Sequence, residues 1–212
     1  ASWRRPIAEP PAVGATTNDL LRFSSQFNAQ IMSHPLILRF LAGRIATRIK
    51  ELGKTLIFLP TIRAANAFFA LLEAHPSTHN RIYLVHTGLD TLNRDPPLHV
   101  HEQLKSFFDQ GDNPCVMVNV NMLTTGFDDP KIRTIVLARL TYSMNLYWQM
   151  IGRGTRLCPN LFQPGVDKKE FLIFDYCQNF EFFDEYPDGV TAKNQKPLLQ
   201  QIFEAKLKVT TL

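Results

Sequence analysis

The chain of 212 residues is poor in the features that most often betray a special environment. Its three cysteines, Cys115, Cys158 and Cys177, stand far apart and form no CxxC pair or Cys/His cluster. That spacing excludes a disulfide framework and a structural zinc site, and predicts reduced thiols in a cytoplasmic protein. His99 and His101 sit two apart with no further ligand nearby, so they read as surface histidines, and no metal site is expected. No apolar run approaches the ~20 residues that cross a bilayer, so no membrane partner is expected. The first residues, ASWRRPIAEPPAVG, lack the apolar core of a signal peptide. No internal repeat of solenoid period is present.

Two further absences concern phosphate chemistry. Gly53-Lys54-Thr55 looks like the end of a phosphate loop, but Arg48 stands where that pattern needs a glycine. The order is also reversed, with a helix before it and a strand after it. No apolar strand is closed by an Asp-Glu pair either. The chain therefore lacks the parts with which a self-sufficient phosphate-loop enzyme grips nucleotide and Mg²⁺. A third near-motif, Pro187-Asp188 followed by Glu204-Ala205-Lys206, mimics the acidic residues and lysine of a nuclease. Leu198, Leu199, Ile202, Phe203 and Leu207 surround that Glu and Lys with a helical stripe, whereas such ligands belong on strands.

What is present is a globular composition, 45% hydrophobic and 20% charged, with a net charge of +4. That balance tolerates nucleic acid without demanding it. Residues 1–32 begin with prolines and no period, and read as a linker or arm from an upstream lobe. Ser33 is a candidate cap, with Pro35 in the first turn of a helix over 34–52 that carries Ile37, Leu41, Ile45, Ile49 and Leu52 at helical spacing. Apolar strands follow at 55–59, 82–85, 115–118, 132–137 and 171–174. Between them lie helices from Thr61, as cap, to about 74, around Leu104, Phe107 and Phe108, and over 143–152. Uniformly apolar strands alternating with helices predict an α/β fold: three layers, with a mostly parallel sheet flanked by helices. Ligands in such sheets gather at the carboxyl ends of the strands. Residues 177–212 lie beyond the lobe at 33–176. There, 179–183 are expected to pack on the lobe, and 197–207 to begin a helical region.

Two motifs carry chemistry. Thr124-Thr125-Gly126-Phe127-Asp128 follows the third strand, where small hydroxyls and a glycine let backbone approach phosphate. Some twenty residues later Gln149-x-x-Gly152-Arg153-x-x-Arg156 sets two guanidiniums three apart in an apolar, aromatic context. Guanidinium is a planar fork that matches phosphate oxygens and keeps its charge.

Taken together, TTGFD and QMIGRGTR resemble motifs V and VI of superfamily 2 helicases and translocases. TLIFLPTIRAANAFFALL resembles motif IV, and VHTG with EQLKSFFDQGDNPCVMVNVNMLTTGFD matches the rest of the second RecA-like, or helicase C-terminal, lobe in order. The resemblance covers about residues 34–176. YWQMIGRGTRLCPNLF and FLIFDYCQNFEFF are most similar to the motor subunit of type I restriction enzymes; DEAD/DEAH-box relatives share much of the pattern. The resemblance implies half of an ATP-dependent engine, inactive without its first lobe, which would hold ATP and Mg²⁺. Arg156 would be the arginine finger and Arg153 would assist at the γ-phosphate. Gln149, Gly126 and Asp128 would line the ATP cleft. Thr61, Thr87, Gly88, Thr124 and Thr125 would touch the nucleic-acid backbone. The implied partners are the first lobe of the same protein, double-stranded DNA and restriction-modification subunits, and the sequence leaves open whether a DNA endonuclease is attached upstream. A module that only binds nucleic acid is the alternative, although such a module has no need of Arg156 in register with Gln149 and Gly152.

Overall fold

The computed structural model describes residues 16–189 except 93, 94, 96 and 124–126. The expected strip of 197–207, with Glu204 and Lys206, lies outside these residues, as do Thr124, Thr125 and Gly126.

Helix α1 spans Thr17–Gln30 and α2 spans Pro35–Leu52. Strand β1 (Lys54–Phe58), α3 (Ile62–Glu73) and β2 (Ile82–His86) follow. After a short 3₁₀ turn come α4 (Val100–Asp109), β3 (Cys115–Val120), β4 (Thr134–Leu137) and α5 (Met144–Ile151). The chain then forms a hairpin of β5 (Cys158–Gln163) and β6 (Val166–Lys168), before β7 (Leu172–Asp175) and α6 (Asn179–Glu185). Five strands make one sheet in the order β2-β3-β1-β4-β7, with every pairing parallel. The predicted fold class is the observed one.

Alternation along the strands divides the core into two layers. Ile57, Leu84, Val118 and Val136 join Leu41, Ile45, Phe68 and Leu72 of α2 and α3 on one face. Leu56, Met117, Ile135 and Leu137 join Phe107, Tyr147, Met150 and Phe183 of α4, α5 and α6 on the other. Each such side chain, fully buried, stabilises the fold by roughly 1.5–3 kcal/mol relative to exposure. The central strand β1 is buried at every residue, which is why Leu56-Ile57-Phe58 and the following Leu59 read as an apolar run.

Several elements differ from expectation for local reasons. The cap of α2 is His34, not Ser33: its Nδ1 accepts the Leu36 N–H at 3.2 Å, and Pro35 occupies the first turn. Ser33 Oγ instead donates to Asn28 O and meets Thr61 Oγ1 at 3.1 Å. The stretch before it carries helix α1, opened by a capping box between Thr16 and Asp19. Leu20, Phe23, Phe27 and Ile31 pack onto the core at helical spacing. Asn28 of α1 bonds both backbone groups of Leu140 at 2.8 Å, tying α1 to the segment after β4. Strand β4 starts at Thr134 rather than 132, because Ile132 N–H closes a turn on Asp129 O. Among the described residues no helix is long and apolar enough to cross a membrane. The three cysteines are buried and unbridged.

Candidate functional site

Ser143 caps α5 through the Leu146 N–H, and the helix runs back along the sheet from the carboxyl end of β4. Tyr147, Met150 and Ile151 face the core, whereas Trp148 and Gln149 are exposed. The helix stops at Gly152, whose N–H bonds Trp148 O at 2.8 Å. The loop that follows carries Arg153 and Arg156. Arg153 Nη1 donates to Phe127 O. Arg156 Nε donates to Asp128 Oδ1 at 3.0 Å, with both side chains more than half exposed. The arginines and Asp128 are thus brought together, with Gln149 on the preceding helix.

This cluster sits at the amino end of the sheet, not at the carboxyl end. Its anchors show this. Lys54, the first residue of β1, is fully buried and pairs with Asp129 at 2.6 Å, its ammonium 4.6 Å from the Phe107 ring centroid. Phe171, just before β7, packs so closely on Gly154 that an added Cβ would lie 2.2 Å from its ring. Lys168, at the end of β6, is 2% exposed and donates to Gly154 O at 2.8 Å and Pro130 O at 3.0 Å. Burial lowers the proton affinity of that ammonium.

Thr61, Thr87 and Gly88 lie at the other end, where β1 and β2 stop. Thr61 caps α3 by accepting the Ala64 N–H at 3.1 Å. Its hydroxyl is therefore committed to the helix start, while the exposed N-terminal turn of α3 remains an anion-favouring dipole end. Thr87 is exposed, and Gly88 adopts the left-handed conformation with φ 87°, which lets the chain turn sharply after β2. Buried His86 supports this turn, with Nδ1 3.0 Å from Thr87 O and Nε2 3.0 Å from Asn66 Oδ1. Next to them, Arg139 at the end of β4 bonds Asn121 after β3, and burial pulls its guanidinium below its ordinary value.

The sequence reading weighed Lys54 only as the end of a failed phosphate loop and gave no site role to Asp129, Lys168, Asn121 or Arg139. A signal existed for two of them. The second acid of GFDD needs a partner if buried, and Pro164-Gly165 between short runs marks the hairpin that carries Lys168. Among the described residues no group of three or more His, Cys, Asp or Glu could hold a metal.

The family model for the helicase conserved C-terminal domain matches residues 37–158. Over 173 residues, 76% of this chain, the sequence is 30% identical to the type I restriction enzyme EcoKI endonuclease subunit of Escherichia coli, and it spans only 14% of that relative's length. A fragment of a putative HsdR subunit of a type I restriction enzyme from Vibrio vulnificus superposes with a TM-score of 0.51 at 22% identity, covering 73% of this chain and 30% of that one. Domain 2 of the DEAD-box helicase Mss116p, bound to an RNA duplex, superposes with a TM-score of 0.52 at 18% identity, over 76% of this chain and 59% of that one. At these identities the solved structures bear on the fold, which is that of a RecA-like lobe.

Proposed function

The chain belongs to the helicase conserved C-terminal domain family, and from that premise we propose that it is the second motor lobe of an ATP-dependent DNA helicase or translocase, within a protein of the type I restriction endonuclease kind. The observation that carries this reading is the arginine loop. Arg153 is fixed on Phe127 O, and Arg156 is held through Nε by Asp128 while remaining 63% exposed. An ion pair this exposed contributes only about 0–1 kcal/mol to stability, so stability does not account for it. The pair does set a guanidinium in place with its two terminal nitrogens left for an incoming group.

Two guanidiniums in one short loop fit the outer phosphate of ATP. Among the described residues no group of three or more His, Cys, Asp or Glu could hold a metal, and on this reading the magnesium ion, with the rest of the nucleotide, falls to the first lobe. Bound ATP with Mg²⁺ supplies a γ-phosphoryl whose transfer to water spreads charge over its oxygens. Arg156 would meet those oxygens on lobe closure, Arg153 would flank it, and Asp128 and Gln149 would line the same cleft with Gly126. Because this charge-matching group arrives only with closure, hydrolysis becomes tied to motion. Thr61, Thr87 and Gly88 at the carboxyl edge would contact the DNA backbone without reading sequence, and the same role is proposed for Thr124 and Thr125. The remaining partners are the first lobe and restriction-modification subunits.

The test is Arg156→Ala in the full-length protein. ATP affinity should stay near wild type, while DNA-stimulated hydrolysis should fall on the order of a thousandfold, or about 4 kcal/mol. Lys at 156 should not restore it, since a point ammonium lacks the fork. Wild-type turnover in both Arg156→Ala and Arg153→Ala would overturn the proposal.

A further inference from the structure

The two loops of the arginine site are joined from behind by one side chain. Lys168 reaches Gly154 O, between Arg153 and Arg156, and Pro130 O, two residues after Asp128. Its stem leaves the hairpin where Cys158 pairs with Lys168, so the hairpin folds back under the loop from which it springs. The family match ends at residue 158 and leaves nearly the whole hairpin outside. We propose that Lys168 is a positioning residue for the arginine loop, and that the β5–β6 hairpin exists to deliver it.

The chemistry of the position supports this. A buried ammonium is costly, and a hydrophobic residue of similar volume commonly serves stability as well or better. Here the ammonium's bonds run to two carbonyl oxygens rather than to a carboxylate, and both acceptors lie on loops, not on strands or helices. An ammonium can donate three bonds from one nitrogen, so a single lysine can tie two separate backbones at a fixed spacing. Around it stand Asp129, already paired with Lys54, and Cys158. Phe171 also leaves no room for a side chain at Gly154. The loop is thereby packed against a ring and bonded to an ammonium, and Arg156 inherits its place from that backbone. This assignment of purpose rests on the arginine loop acting at phosphate, as proposed above.

The experiment compares Lys168→Met, similar in length but without the ammonium, with the exposed neighbour Lys169→Met in the full-length protein. Amide hydrogen exchange and DNA-stimulated ATP turnover are both read. In Lys168→Met, amides of 127–131 and 152–157 should exchange at least tenfold faster, while those of β1, β3 and β4 keep wild-type protection. Turnover should drop at least tenfold with the KM for ATP unchanged, and Lys169→Met should match wild type in both. Lys168→Gln, a shorter neutral donor, should restore part of the protection, and it reads the same amides should Lys168→Met fail to fold. Unchanged loop exchange, or a uniform rise across the sheet, overturns the proposal. So does a loosened loop with normal turnover when Arg156→Ala has lost turnover. A loosened loop with normal turnover in both Lys168→Met and Arg156→Ala would instead sink the phosphate reading and leave the bracing of the loop standing.

Discussion

Gly154 offers the sharpest quantitative test of how the arginine loop is held. An added Cβ would lie 2.2, 2.4 and 2.8 Å from Cδ2, Cε2 and Cγ of Phe171, more than an ångström inside ordinary contact at its nearest. Those atoms include the root of the ring, so a small rotation does not clear them. Overpacking of this kind costs about 1–3 kcal/mol. For a chain of this size that corresponds to a fall in Tm of roughly 2–4 °C per kcal/mol. Phe171 is half-buried, so Phe171→Ala alone should cost less than the roughly 3–5 kcal/mol of a fully buried ring. The double variant, Gly154→Ala with Phe171→Ala, removes the atoms that the new methyl at 154 strikes. It should be no less stable than Phe171→Ala by more than a few tenths of a kcal/mol, which leaves a coupling of about 1 kcal/mol or more. Urea unfolding of the four proteins, with shared slopes, measures this directly. Additivity within about 0.5 kcal/mol would refute the close packing of the loop on Phe171.

Other outcomes follow from the same contacts. Lys54→Met should lose roughly 3–5 kcal/mol by stranding the Asp129 carboxylate, and Lys54→Met with Asp129→Leu should recover part of it, as read by denaturant unfolding. Burial pushes the Cys115 thiol up to about 12 from an ordinary 9.0, so its neutral form is favoured in the fold. The unfolded chain then gains thiolate from pH 9 upward, and stability should fall between about pH 9 and 12, less steeply in Cys115→Ala; a flat profile counts against it. Thr61→Ala should cost about 1 kcal/mol through loss of the α3 cap, seen as a lower Tm before any change in DNA affinity is considered. Binding of two unrelated duplexes should be equally weak and fall with log salt at a slope of only a few units; strong preference for one duplex would contradict backbone contact.

The sheet was legible because β1 to β4 are buried at every residue and so carry apolar runs such as Leu56-Ile57-Phe58, while the partly exposed β7 still keeps Leu172-Ile173-Phe174. Helix α1 was missed although Thr16 and Asp19 spell out a capping box, because the preceding prolines dominated the reading. The hairpin was missed for a different reason. Its strands alternate irregularly, with Cys158, Leu161 and Lys168 buried among exposed residues, and a lysine at a core position hides the period. That Asp128 and the arginines share one cleft was implied by the family resemblance, whereas the ion pair of Asp128 with Arg156 was not foreseen. Nor was the placing of the arginines at the opposite end of the sheet from Thr61 and Thr87, since it depends on α5 running back along β4, and sequence spacing carries no direction.

That separation gives the lobe the geometry of a lever. A strand of five residues, as in β1, spans about 17 Å. With the fulcrum at the arginine loop, a tilt of about 12° sweeps the Thr61 and Thr87 edge through about 3.4 Å, the rise of one nucleotide along a strand of B-DNA. The stiffness of the lever is that of the buried strands between the two ends, so on the proposed function a lobe motion too small to disturb the core would be large enough to advance the nucleic acid by one unit.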